Sequence, residues 1–144
     1  MSSDARLASR LRLAVARLHR RVRYEGNVAG EELGASSLAA LATIERTGPV
    51  TLGELAAIEG VQPPSMTRIV TRLEEEGYAT RTVDPSDRRV ARAAVTPAGK
   101  AFLARARTRK DAYLSQRVAR LSAADREALE RALPVLERLL EDEP

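Results

Sequence analysis

The side chains best suited to chemistry in this chain lie between Gln62 and Arg89. Ser65, Thr67, Arg68, Thr71 and Arg72 supply short hydroxyls and guanidinium groups at spacings that place them on one side of a helix. Gln62 and Pro64 precede them, and Arg81, Arg88 and Arg89 follow. Such groups bond base edges and phosphates; they do not by themselves carry a reaction. Groups that would are scarce. His19 is the single histidine, cysteine is absent, and no glycine-rich phosphate loop or carboxylate–histidine cluster at metal spacing occurs. The chain therefore reads as a binding protein and not an enzyme, with no cofactor and no metal.

These residues need a frame, and the stretch from Thr51 to Gly99 predicts one. Thr51 and Glu54 have the spacing of a capping box, Leu52, Leu55 and Ala56 share a face, and Gly60 offers a left-handed exit. Val61 and Gln62 make a turn, and Pro63-Pro64 opens a second helix where a missing N–H costs least. Met66, Ile69, Val70 and Leu73 form its buried stripe, leaving the hydroxyls and arginines outside. Glu74, Glu75 and Glu76 crowd its C-terminal end and would repel phosphate, so its N-terminal half is the part expected to enter a major groove. Ala79 to Val83 and Val90 to Val95 read as strands around an Asp84-Pro85-Ser86-Asp87 turn. Arg88 and Arg89 then stand beside the hairpin tip, within reach of a minor groove, and Asp87 is expected to orient one of them.

Composition narrows the class further. Of 144 residues 44% are hydrophobic but only 3% aromatic, so the core must be aliphatic, which suits packed helices. The net charge of +4 is modest, and charges nearly cancel between Val50 and Thr96; placement of single arginines has to carry any nucleic-acid argument. The basic surplus gathers near the N-terminus, at Arg6, Arg10, Arg12, Arg17, Arg20, Arg21 and Arg23. Without cysteine there are no disulfides, thiolate metal sites or thiol redox sensing. No apolar run reaches the length of a membrane span, and the N-terminus lacks a signal core, so a cytoplasmic protein is expected.

Around the central stretch the chain reads as helices. Ala5 to about Tyr24 carries an apolar seam of Leu7, Leu11, Val15, Leu18 and Val22, with His19 beside it as a partly buried or surface residue. Glu25 to Leu33 reads as a loop. Ser36 or Ser37 is expected to cap the next helix, with Ser37 also a candidate phosphate ligand, and Gly48-Pro49 to stop it. Thr96-Pro97 starts a long helix over about 98–120. Ser122 and Asp125 suggest another capping box, followed by a helix toward Glu141 whose Leu129, Leu133, Leu136 and Leu140 form a second seam. Pro134 is expected to kink or break that helix. The two seams want partners, and a two-fold homodimer would supply them.

The segments TLGELAAIEGVQPPSMTRIVTRLEEEGYATR and DPSDRRVARAAVTPAGKAFL resemble the multiple-antibiotic-resistance regulator (MarR) family of winged helix-turn-helix repressors. The resemblance in helix order spans the chain; close motif similarity runs from about Val50 to Leu103. It implies a mainly α fold with a small β-hairpin wing, a DNA-binding lobe over 34–99, and a helical dimerisation lobe from residues 1–33 and 100–144. It further implies groove contacts from Ser65, Thr67, Arg68 and Arg72, a minor-groove contact from Arg89 with Arg88 beside it, and release from DNA by a small phenolic or other amphipathic effector. The pocket residues for such an effector are not named by the sequence. The cysteine-based oxidant-sensing branch is excluded. The expected partners are thus double-stranded DNA, a second copy of the chain and a small amphipathic or aromatic effector. The expected role is a transcriptional regulator acting on a palindromic operator. The competing reading is a winged-helix interaction module with weak, non-specific DNA binding, favoured by the near-neutral charge of the winged segment.

Overall fold

The computed structural model of the protein describes residues 2–27 and 33–141. The elements run α1 (Ser3–Gly26), α2 (Ala35–Thr47), β1 (Val50–Thr51), α3 (Leu52–Glu59), α4 (Pro63–Glu75), β2 (Ala79–Val83), β3 (Ala91–Val95), α5 (Pro97–Val118) and α6 (Ala123–Arg138). The chain divides into two compact units, residues 1–110 and 111–144, with the division inside α5.

In the first unit the helix-turn-helix forms as its local chemistry demands. Thr51 accepts from the Glu54 N–H at 3.1 Å while the Glu54 carboxylate takes the Thr51 N–H at 3.3 Å, so both halves of the capping box are made. Gly60 leaves α3 at φ +64°, a conformation costly for any residue with a Cβ. Pro63 and Pro64 begin α4, and Gln62 precedes it without a side-chain cap. Met66, Val70 and Leu73 are fully buried against Leu41 and Ile44 of α2 and Leu55 of α3, with Ile69 packed at the edge. This aliphatic trihelical core is closed by an aromatic pair, Tyr78 and Phe102, whose rings lie 4.6 Å apart.

The wing has a third strand that the sequence pattern did not disclose. β1 pairs antiparallel with β3 through Val50↔Ala93 and Thr51↔Arg92, giving the order β1-β3-β2. Two residues are too few to show any period, which is why β1 escaped notice. β2 falls where the sequence places it, and β3 begins one residue later, at Ala91. Thr96 ties wing to helix: its hydroxyl donates to the Gly77 carbonyl at 2.6 Å and accepts the Gly99 N–H at 3.0 Å. At Gly99 an added Cβ would sit 2.2 Å from the Tyr78 carbonyl oxygen, so only glycine permits this approach.

Several expectations are corrected. α1 is capped by Ser2 and runs to Gly26, so Glu25 and Gly26 of the expected Glu25–Leu33 loop are helical; 28–32 lie outside the described residues. Neither Ser36 nor Ser37 caps α2: the helix starts earlier, at Ala35 behind Gly34, and both serines fall inside its first turn. α5 spans Pro97–Val118 and not 98–120. In the second unit Ser122 accepts the Asp125 N–H at 3.1 Å, but the reciprocal half of that box is not formed, as the aspartate chain is one methylene shorter than glutamate. α6 ends at Arg138, and Pro134 lies inside it without breaking it. The ring removes one backbone donor, a loss that an exposed helix tolerates because water serves the freed carbonyl.

Candidate nucleic-acid interface

The outer face of α4 carries what the sequence assigned to it. Gln62, Pro64, Thr67, Arg68, Thr71 and Arg72 are exposed and Ser65 is half-buried, because Met66, Val70 and Leu73 take the inner positions. The Gln62 carbonyl receives the N–H groups of Ser65 and Met66. Thr67 and Arg89 meet across a cavity of about 360 Å³, which Thr51, Leu52, Gly53, Val90 and Ala91 complete. The structure thus brings the first turns of α4 and the wing arginine to one depression, although 22 residues separate them in sequence.

The wing turn is held by its own carboxylates. Asp84 accepts from the Ser86 N–H at 2.8 Å, the Ser86 hydroxyl at 2.6 Å and the Arg92 guanidinium at 2.7 Å. The Ser86 hydroxyl first, and then Arg92, hold its carboxyl well below the usual carboxylate range. Asp87 grips Arg89 in a fork: Nε donates to Oδ1 at 3.0 Å and Nη2 to Oδ2 at 3.2 Å, while the Arg89 N–H donates to Oδ1 at 3.1 Å. These bonds lower the Asp87 pKa as well, the side-chain bond of Arg89 most. Arg89 nonetheless stays 90% exposed, aimed outward by a partner beneath it. Arg88 is exposed beside Val83, Asp84 and Pro85.

Two assigned residues stand apart from this set. Arg81 is half-buried: its Nε and Nη2 close on one oxygen of Glu74 at 2.9 and 2.6 Å, and Nη2 also reaches the Thr71 hydroxyl at 2.8 Å. It braces β2 against α4 and is not an open ligand for phosphate. Ser37 is half-buried in the first turn of α2 and does not line the α4–wing depression. Sequence reasoning missed Arg92 and its partner Asp84; the Asp-x-Ser turn signature was the available signal.

A second cavity, of about 370 Å³, opens in the same unit. His19 and Arg23 of α1, Lys110 of α5 and Glu59 of α3 supply its polar rim; Leu38, Ala39, Ala42, Val61 and Ile69 supply its apolar wall. His19 is exposed there, a surface residue and not a packed one. Beneath it the buried Thr43 hydroxyl donates to Glu59 and accepts from Arg46 at 3.3 Å, fixing the last residue of α3 to α2. Among the described residues no group of acidic or histidine side chains is arranged to hold a metal ion, and no helix is long and apolar enough to cross a membrane.

Comparison with known proteins agrees with this geometry. The model of the MarR family matches residues 33–91. An uncharacterized HTH-type transcriptional regulator of Mycobacterium bovis is 36% identical over 144 residues, covering 100% of this chain and 99% of that one. A Pseudomonas aeruginosa protein of known crystal structure superimposes with a TM-score of 0.86 at 31% identity, over 99% of each chain. A mutant of Staphylococcus aureus MepR, solved bound to an oligodeoxyribonucleotide, shares the fold at a TM-score of 0.70 and 15% identity, covering 94% and 98% of the two chains.

Proposed function

Because the chain belongs to the MarR family of DNA-binding transcriptional regulators, we propose that it acts as a homodimeric repressor on a palindromic operator. The observation that carries the reading is the depression shared by Thr67 and Arg89. It sets a hydroxyl- and guanidinium-bearing helix face beside an outward arginine, the pairing needed to read a major groove and the adjoining minor groove together. Residues 34–99 do the reading, and residues 1–33 and 100–144 pair the copies. Leu7, Val15 and Leu18 on α1, and Leu129, Leu133 and Leu140 in the 111–144 unit, are exposed apolar side chains in the single chain; Leu11 and Leu136 are half-buried. A second copy would cover them.

The second cavity suits a small amphipathic effector with an acidic group, which His19, Arg23 and Lys110 would face while the ring or chain lies on Leu38, Ala42 and Ile69. Ile69 belongs to α4 and Val61 to the turn before it, so filling the cavity would bear on the reading helix and favour release from DNA. The protein is read as a cytoplasmic regulator without catalytic activity.

The test is a selection of bound double-stranded fragments from a random pool, followed by titration of the winner against scrambled DNA over a range of salt. A palindrome with half-sites about one helical turn apart, preferred by roughly 10³-fold or more, is expected. Sequence-indifferent binding that vanishes near physiological salt would overturn the reading and favour the interaction module.

A further inference from the structure

We propose that Thr71 determines specificity by presenting to the major groove a hydroxyl that can only accept a hydrogen bond, and that Arg81, clamped by Glu74, is the positioning residue that sets it so. The inference rests on the reading that α4 enters the groove, and it requires that entry to extend past the N-terminal half as far as Thr71, one turn short of the Glu74–Glu76 run. A threonine hydroxyl has one hydrogen and two lone pairs. At Thr71 the hydrogen is taken by the Thr67 carbonyl at 2.9 Å, and one lone pair receives Arg81 Nη2 at 2.8 Å. What remains is the second lone pair, on a residue that is exposed.

The guanidinium is what prevents the alternative. Arg81 has only donors, so the Thr71 hydrogen cannot turn toward it. Turning the hydrogen outward would leave an oxygen lone pair against the Thr67 carbonyl. Arg81 itself is held in place, with Nε and Nη2 both on Glu74 at 2.9 and 2.6 Å and both side chains substantially covered. Thr67 offers the contrast: its hydroxyl donates to the Pro63 carbonyl at 3.1 Å, and among the described residues no guanidinium bonds it to fix its lone pairs.

An acceptor meets only part of the groove's code. Adenine N6 and cytosine N4 present donors there; guanine N7 and O6, thymine O4 and the phosphate oxygens present acceptors. Thr71 therefore selects a base bearing an exocyclic amine, and rejects keto groups at that step through lone-pair repulsion. A brace that served stability alone would have no such effect on base choice.

Fragment selections with the full chain, T71V and R81Q decide the matter. The parent is expected to require adenine or cytosine at one position in each half-site. T71V keeps the γ-methyl and puts a second methyl where the acceptor hydroxyl stood; it should select the same operator with that one preference reduced roughly three- to ten-fold. R81Q should admit guanine or thymine at the same position and leave the others unchanged. Replacing that base in the operator by an analogue without the amine should weaken the parent by the same factor and T71V not at all. Identical selections by parent and T71V, or a keto base required by the parent at the position T71V alters, would overturn the proposal. So would an R81Q variant that weakens every position equally alongside an unaltered T71V, since that is the signature of a structural brace. If R81Q does not fold, T71V and the analogue still decide. A parent that selects no sequence at all fails at the earlier step, the reading of DNA by α4.

Discussion

The outer face of α4 with the wing, and the outer faces of α1 and α6, are both solvent-exposed, but their side chains stand in opposite conditions. On the first, nearly every long polar group already has a partner: Arg72 with Glu76 at 3.2 Å, Arg81 with Glu74, Arg89 with Asp87 and Arg92 with Asp84. On the second, leucines stand in water: Leu7 is 65% exposed on α1 and Leu133 49% on α6. Exposed ion pairs add little stability, so the pairs around the wing are better understood as aiming devices that restrict long side chains before a partner arrives. An apolar face has no comparable device. It can be satisfied only by area, which means by another surface. One region is thus pre-organised within the chain; the other is left uncovered in the single chain, and the proposed second copy would cover it.

Substitutions sharpen or break that contrast. Phe102 is almost wholly buried beneath the winged lobe, so Phe102→Ala should remove about 3–5 kcal/mol of stability in urea melts. A loss below about 1 kcal/mol would mean the lobe is not built around that ring. Leu133→Glu lies on the uncovered face of α6. It should leave the helical signal intact while shifting sedimentation from dimer to monomer, a weakening of roughly 100-fold in self-association. A variant that sediments like the parent would remove this face from the interface.

Arg89→Ala tests the pre-aimed side. Operator affinity should fall by about 1–3 kcal/mol, with thermal stability unchanged because the guanidinium is 90% exposed and its ion pair with Asp87 lies at the surface. Thr51→Ala removes a capping box at the edge of the same depression and should cost about 1 kcal/mol of stability. The smallest effect concerns pH. Asp84 and Asp87 both titrate below the ordinary carboxylate value, so the wing's hydrogen bonds are fully present above about pH 4 and are lost only on further acidification. Amide shifts of Ser86 and Arg89 should therefore stay constant from neutral pH to about 4 and move below it; movement near pH 6 would show that other groups control the turn.

Much of this was legible in the chain itself. Thr51 with Glu54, Gly60, Pro63-Pro64 and the Met66–Val70–Leu73 stripe are local signals, each acting within a few residues, and they mark the helix-turn-helix without reference to anything distant. The hairpin around Asp84–Asp87 is local in the same sense. Serine caps were less readable: Ser36 and Ser37 have the right chemistry, yet Gly34 starts α2 first, because burial of Leu38, Leu41 and Ile44 fixes how far the helix extends.

What tertiary structure alone decided is which polar groups meet. Arg81 looks in sequence like one more basic residue for phosphate, and only the packing of β2 against α4 puts Glu74 and Thr71 within its reach. β1 exists because β3 offers it an edge, and Gly99 is required because the start of α5 presses on the Tyr78 carbonyl. Caps, turns and periodicity are properties of consecutive residues and can be read in order. The partners of a guanidinium or a strand edge are chosen by distances across the fold, which sequence order does not contain.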